Sequence, residues 1–451
     1  MEPTFRPFSR PPRDGVRRLW PLWLIFVAMA NAEQPQFGTQ NLPPPTRAPS
    51  PADSKLTPPL PEGPDNLTTD LEANEAVTPL MPDGMEKTGD MPPPVLAAPR
   101  RWTFFVEGRA IYDDNIFLSA NGQEKSSMVM LLTPSLTFRT GDTMTKRGSY
   151  AIVGYTPSAS FFIDESDENS LDHTARFELQ KSLGKLAVAV DGKYQRLSGA
   201  TAELSDRVDR DEAGARARAH YDVSLRTGIE TSVAYNTVRY LDSGLDDYDE
   251  WVSETFIGYE FSGHTRMGAG GAVGRLNVDG QNSQSYQRAL VRVTTDPTGK
   301  ITLDAKAGVE FRHTDAGKQT TPVFNLAAEY RPTGRTSIGV SVYRDVSASG
   351  SIENENVTRT GATLRIMQKL SSRFTAGVEA GYERLEYTST ESGAVSSGRE
   401  DDYFFLRPSL RYDFSEGRRA EIYYSLRQDD STISDFDFTA NQTGLAVGFD
   451  F

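Results

Sequence analysis

The side chains able to do chemistry here are few in kind. Four histidines, His173, His220, His264 and His313, are the only groups whose ordinary titration lies near neutrality. His173 follows Asp172 and His313 lies two residues before Asp315, so either could form an acid–base pair serving one of the many serines. No nucleophile-turn motif surrounds any serine, and the chain reads as a protein that is not an enzyme. The absence of cysteine excludes disulfides, thiolate metal sites and thiol catalysis. Two acid-rich runs, "IDESDENSLD" (163–172) and "LDSGLDDYDE" (241–250), offer carboxylates to a hard divalent cation. Neither has the ligand spacing of a helix–loop–helix calcium site, and solvated, mutually repelling charge is the plainer reading. No cofactor and no resident metal are implied.

A third set has a regular interval. Arg216 and Arg218, Arg288 and Arg292, Glu310 and Arg312, and Arg407 and Arg411 are separated by two or four residues, with Arg365 and Glu379 in similar surroundings. In an extended strand, such spacing puts both members on one face. Charges of both signs along one face can line a hydrated channel that mildly favours anionic or polar solutes. They can equally satisfy one another across neighbouring strands and stiffen a wall.

The elements that carry these residues alternate from Trp102 onward. Ala213, Ala215, Ala217, Ala219, Tyr221 and Val223 share one face, against Gly214, Arg216, Arg218, His220 and Asp222. Ile301, Leu303, Ala305, Ala307, Val309 and Phe311 oppose Thr302, Asp304, Lys306, Gly308, Glu310 and Arg312. A slip of one residue would carry arginines onto the apolar side, so register is strongly fixed. Short turn signals such as "SLGK", "DPTGK", "RPTGR" and "SEGR" alternate with longer polar stretches such as "ATAELSDRVDRDE" and "HTDAGKQTT". The pattern predicts short turns at one end, nine long loops at the other and about 18 strands, with 16 as the alternative. Thr255–Phe261 and Arg266–Val273 are the weakest strands of the pattern, being interrupted by glycine.

An apolar face rich in Ala and Val, with aromatics near the strand ends, suits hydrocarbon better than a sandwich core of large interlocking side chains. The expected fold is therefore all-β: a transmembrane antiparallel up-and-down β-barrel over residues 101–451. The closing stretch "TGLAVGFDF" fits as its last strand, paired to "RWTFFVEGRAIY". The arginines before "LWPLWLIFVAMANA" give residues 1–32 the form of a cleaved export signal. Residues 33–100 are Pro-rich and without apolar periodicity, as in a disordered periplasmic segment. Fully extended, that segment could reach up to ~220 Å, far enough to meet a periplasmic partner. The net charge is −14, and the export signal carries five arginines against two acids, leaving −17 beyond it. Such acidity argues against nucleic acid as a partner and against docking to anionic lipid through a basic face.

Two stretches carry a family resemblance. "VEGRAIYDDNIFLS" (Val106–Ser119) resembles the first strand of the β-barrel porin type 2 family, which includes proteins of exopolysaccharide operons. The element Leu132-Thr133-Pro134-Ser135-Leu136 recurs as Leu406-Arg407-Pro408-Ser409-Leu410 and is similar to Pro-Ser strands of that family. The resemblance implies a barrel in the outer membrane of a Gram-negative bacterium, surrounded by lipid and lipopolysaccharide. It implies a pore for diffusion or export of small polar or saccharide solutes; a non-conducting partner barrel of polysaccharide export or a surface adhesin is the alternative. Phe449 and Phe451, at alternate positions, resemble the signal that the barrel-assembly machinery reads. By their phase in the alternation, Arg216, Arg218, Arg288, Arg292, Glu310, Arg312, Arg365, Glu379, Arg407 and Arg411 would line that pore.

Overall fold

The computed structural model describes residues 101–141, 148–241, 245–350, 352, 354–392 and 397–451. The expected export signal (1–32) and Pro-rich segment (33–100) lie outside the described residues. From Trp102 the chain runs through β1 (Trp102–Asp113), β2 (Ser127–Gly141), β3 (Tyr150–Phe162), β4 (Ser170–Leu183), β5 (Leu186–Thr201) and β6 (Asp206–Asp222). It continues through β7 (Thr227–Tyr240), β8 (Tyr248–Ser262), β9 (Thr265–Val278), β10 (Gln284–Thr295), β11 (Ile301–Thr314) and β12 (Gly317–Thr333). It ends with β13 (Thr336–Ala348), β14 (Glu355–Lys369), β15 (Phe374–Ser389), β16 (Glu400–Ser415), β17 (Arg418–Ser431) and β18 (Phe438–Asp450).

Each strand pairs antiparallel with the next, and β1 pairs with β18 from Phe105 opposite Asp450 to Asp113 opposite Gln442. The sheet of 18 strands is thus a closed barrel. The glycine-interrupted stretches of β8 and β9 belong fully to it. Their glycines make room for a neighbour: a Cβ on Gly270 would meet the Phe256 ring.

Alternation sets the two faces. Val291, Phe311, Val340, Leu364, Leu410, Ile422 and Leu445 are exposed on the outer surface. Glu310, Arg312, Arg359 and Arg407, at the other phase, are buried inside. Outward-facing charges lie near the strand ends, Arg196, Arg239 and Arg384 on the side opposite the short turns and Lys181 and Arg418 beside the short turns.

The connections depart from expectation at that end. "ATAELSDRVDRDE" leaves only residues 202–205 outside strands, and "HTDAGKQTT" only 315–316. Polar residues can extend a strand beyond an apolar band because neither face needs to be apolar there, and each added residue gains ladder hydrogen bonds. Loop composition was thus spent on taller strands. The longest connections at this end are 114–126 and 390–399.

One join between strands is unusual. Pairing of β2 with β3 holds at Leu132–Ala159 and at Leu136–Tyr155 but is interrupted between them. That register places Pro134 opposite Pro157, and neither can donate to the ladder. Two side-chain bonds flank the gap, Thr133 Oγ1 to Ser158 Oγ and Ser135 Oγ to Thr156 Oγ1, each 2.9 Å.

Close approach of neighbouring strands separates the glycines into two kinds. Around Gly108 of β1 nothing lies within 4 Å of an added Cβ, whereas at Gly308 of β11 it would strike the Ala289 carbonyl oxygen. Gly108→Ala should therefore raise stability by roughly 0.5–1 kcal/mol through lost chain entropy. Gly308→Ala should lower it. The urea midpoints of the two variants in detergent micelles check both signs.

Candidate functional site

The inward faces form a polar wall in which charge is matched strand by strand. Arg216 and Arg218 on β6 reach Asp191 on β5 at 3.3 and 3.0 Å, and Arg218 also lies 4.0 Å from Glu178 on β4. Arg288 on β10 and Arg312 on β11 grip the two oxygens of Glu310 at 2.8 and 2.7 Å. Arg292 contacts Asp304 at 3.3 Å and Glu230 at 3.7 Å. Arg365 pairs with Glu379 at 3.0 Å, Arg407 with Glu421 at 3.1 Å and Arg411 with Asp413 at 3.5 Å. The structure places each of these ten residues on the inner face and gives every arginine among them a carboxylate. They do not converge on one spot but form separate clusters around the ring.

Glycine has a definite place in this wall. A Cβ on Gly274 would run into the Tyr286 ring, on Gly444 into Tyr423, and on Gly448 into Phe105. Each ring occupies the space that a Cβ on the adjacent strand's glycine would need, and a guanidinium packs against the ring. Arg288 and Arg312 both sit 4.7 Å from the Tyr286 centroid, Arg407 is 4.2 Å from that of Tyr423, and Arg419 is 4.6 Å from that of Phe105. Glycine, ring and guanidinium thus pack together on the wall. Stacking of this kind contributes about 0.5–2 kcal/mol per pair as water is excluded. The Tyr286 hydroxyl also donates to Glu250 of β8 at 2.7 Å.

The mouth opposite the short turns is closed by the chain itself. β5–β6 and β13–β14 stand on opposite sides of the ring, eight strands apart, and the tips of both hairpins fold over the lumen. The tip of β13–β14 turns its outer face onto the inner wall. Ala348 packs on Leu276 and Val278, Asn356 donates to Gln284 at 2.8 Å, and Arg312 donates to the Val346 carbonyl at 3.1 Å. The tip of β5–β6 does the same against β3 and the connection after it. Arg207 lies 4.5 Å from the Phe162 ring and 3.2 Å from Glu168.

The two tips meet at Glu203. Its Oε1 accepts from the Gly350 backbone N–H at 2.7 Å and the Ser349 hydroxyl at 3.1 Å, and its Oε2 accepts from Arg359 at 2.9 Å. Arg399 donates to the Glu203 carbonyl at 3.0 Å and is itself fully buried, paired with Asp401 and stacked on Phe436. Beneath lies an apolar cluster of Leu118, Val357, Leu385, Tyr403 and Phe438.

Sequence reasoning missed Glu203, Ser349 and Arg399, because all three sit in polar stretches that read as solvated loop. It also missed the rings, since nothing in a single strand shows which glycine lies beside which aromatic. Among the described residues, no histidine ring is hydrogen-bonded to a serine hydroxyl. His173 faces outward and contacts the Tyr155 hydroxyl at 2.8 Å, whereas His220 faces inward 3.2 Å from Asp222. Among the described residues, no group of three or more His, Cys, Asp or Glu side chains is placed to hold a metal ion.

No family model matches the chain, and no curated protein matches it. Solved structures do. The Pseudomonas aeruginosa outer-membrane protein OpdK, crystallised with vanillate, is 13% identical, with 78% of this chain and 98% of that one covered and a TM-score of 0.39. OccK2 (OpdF) of the same organism, in complex with glucuronate, is 10% identical over 78% and 97%, with a TM-score of 0.42. The siderophore receptor PirA from P. aeruginosa is 10% identical over 79% and 81%, with a TM-score of 0.36. The barrel described above rests on this chain's own closed register.

Tyr286→Leu should destabilise the barrel by about 2–4 kcal/mol, because it strands the Glu250 carboxylate and strips two guanidinium stacks. Gly274→Val, which displaces the same ring without removing it, should move the unfolding midpoint in the same direction. A midpoint unchanged in both would show that this packing contributes nothing.

Proposed function

We propose that the protein is a porin-like pore of a Gram-negative outer membrane, passing small polar or saccharide solutes. The observation that carries this reading is the division of the closed barrel into an apolar outer belt and an inner face of matched charges. A soluble barrel would bury its apolar residues inside. This one exposes them, and only lipid can cover so wide a belt. A repeated arrangement at the strand ends supports the same reading. Tyr194 and Arg196 both bond Asp211, Tyr235 and Arg239 both bond Asp249, and Tyr382 bonds Asp402, with Arg384 3.7 Å from it. A tyrosine below and an arginine above a shared carboxylate suit the boundary between hydrocarbon and headgroup, where lipopolysaccharide would be the neighbour. Phe449 and Phe451, on the outer face of β18, are proposed as the residues the assembly machinery reads. The finer assignment to the type 2 porin family rests on Val106–Ser119 and on the twin proline elements of β2 and β16.

The packed mouth favours a second reading. A barrel shut by its own hairpins could serve as a non-conducting component of polysaccharide export or as an adhesin, with residues 33–100 engaging a periplasmic partner.

Single-channel recording of the purified protein in planar bilayers separates the two. The pore reading expects discrete conductance steps. Because the wall arginines are paired, it also expects a reversal potential near zero under a salt gradient. An absence of steps over long recordings would leave the structural reading. The membrane assignment has its own test. Val291→Arg, at an exposed outer position midway along β10, should cost ~2–4 kcal/mol in folding into lipid vesicles. No loss would mean that lipid does not contact that face.

A further inference from the structure

The contacts around Glu203 have the composition of a ligand site. A backbone N–H, a hydroxyl and a guanidinium, all from residues 349–359, converge on one carboxylate. Such donor sets recognise free carboxylates, because each oxygen is met by its own charged or dipolar donor. The carboxylate held there comes from a different hairpin, on the opposite side of the ring, and that hairpin has a second anchor in the Arg399 bond to the Glu203 main chain. The side chain therefore behaves as a tethered ligand.

Two further observations point beyond a simple brace. A cavity lies beside the carboxylate, lined by Thr201, Arg210, Tyr240, Tyr248, Ser347 and Gly350 among others. Into it faces the Ser347 hydroxyl, which is 7% exposed and has no hydrogen-bond partner among the described residues. A buried hydroxyl left without a partner is costly unless something polar occupies the space beside it. The cradle is also fitted closely. A Cβ on Gly350 would crowd the Tyr240 hydroxyl, so a larger residue could present the N–H that meets Glu203 only if that side-chain tip shifted.

We propose that this cradle is a carboxylate-binding site filled in cis by Glu203, and that a carboxylate solute entering the cavity competes for it and unlatches the two hairpins. The proposal rests on the pore reading for its consequence but not for its binding chemistry. Exchange needs no new charge in the buried site, since one carboxylate replaces another. The displaced Glu203 would move toward the cavity's open side, while Arg399 keeps the hairpin tip attached.

Chemical rescue tests this on the full-length protein. Glu203→Ala empties the cradle, and acetate is the probe, compared with chloride at equal ionic strength. Thermal unfolding in micelles is the first readout. E203A should melt below the wild type in chloride. Acetate should restore its Tm with saturation in the roughly millimolar range expected of so small a ligand. The double variant E203A/R359A should not respond. Glu203→Gln, which keeps the volume but not the charge, should melt below the wild type and show no saturable rescue, confirming that an empty cradle is what acetate fills. Conductance is the second readout: acetate should raise the conductance of the wild type, whereas E203A should conduct more than the wild type in chloride and stay so in acetate, which fills the cradle without joining the hairpins. An unchanged Tm in E203A, or an acetate effect equal in all variants, would overturn the proposal. If no variant conducts but acetate still rescues E203A alone, the binding site stands and the pore reading falls.

Discussion

Closure of the sheet is the constraint on which everything else depends. Every strand in the ring has two neighbours, so the ladder leaves no edge whose N–H and C=O groups must find water. The β1–β18 pairing that completes the ring fixes the register of all the others, because a slip anywhere would exchange the outer and inner faces. Where the ladder fails, at Pro134 opposite Pro157, two pairs of inward hydroxyls hold the strands together instead.

A ring of 18 strands encloses more space than its wall side chains can fill. The protein meets that excess in two ways. Along the wall it packs aromatic rings beside glycines and guanidinium groups against the rings. At the mouth it folds in the β5–β6 and β13–β14 tips. The folded tips reverse the ordinary use of alternation. Val346, Ala348 and Asn356 sit at the phase that faces outward lower in the same strands, yet they are buried against the inner wall. The hairpins bend, so their outer face meets the barrel's own interior.

Pairing also sets the electrostatic character of the lumen. An arginine held by a carboxylate on the next strand contributes a local dipole more than a net field. Arg288 and Arg312 share Glu310, and all three are largely desolvated. Such groups stiffen the wall because removing one would leave its partner buried and uncompensated. The Glu203 contacts differ in origin. They join segments far apart in sequence and across the ring, and they hold a mouth shut where the wall pairs only line a passage.

The sequence by itself determined the architecture. Strict alternation in stretches such as Ala213–Val223 and Ile301–Arg312, with turn residues between them, specified strands, faces and a count of about 18, because side-chain period and register are local properties of extended chain. It placed Arg216, Arg288, Arg407 and their companions on the inner face for the same reason. Only the tertiary structure decided how tall the strands grow, which carboxylate each arginine holds, which glycine lies beside which ring, and that Glu203 and Arg399 belong to a closed mouth. Those outcomes depend on contacts between strands and across the ring. In "ATAELSDRVDRDE" a polar residue that meets water and one that meets a guanidinium across the ring are written alike, and only the closed barrel brings the second partner near.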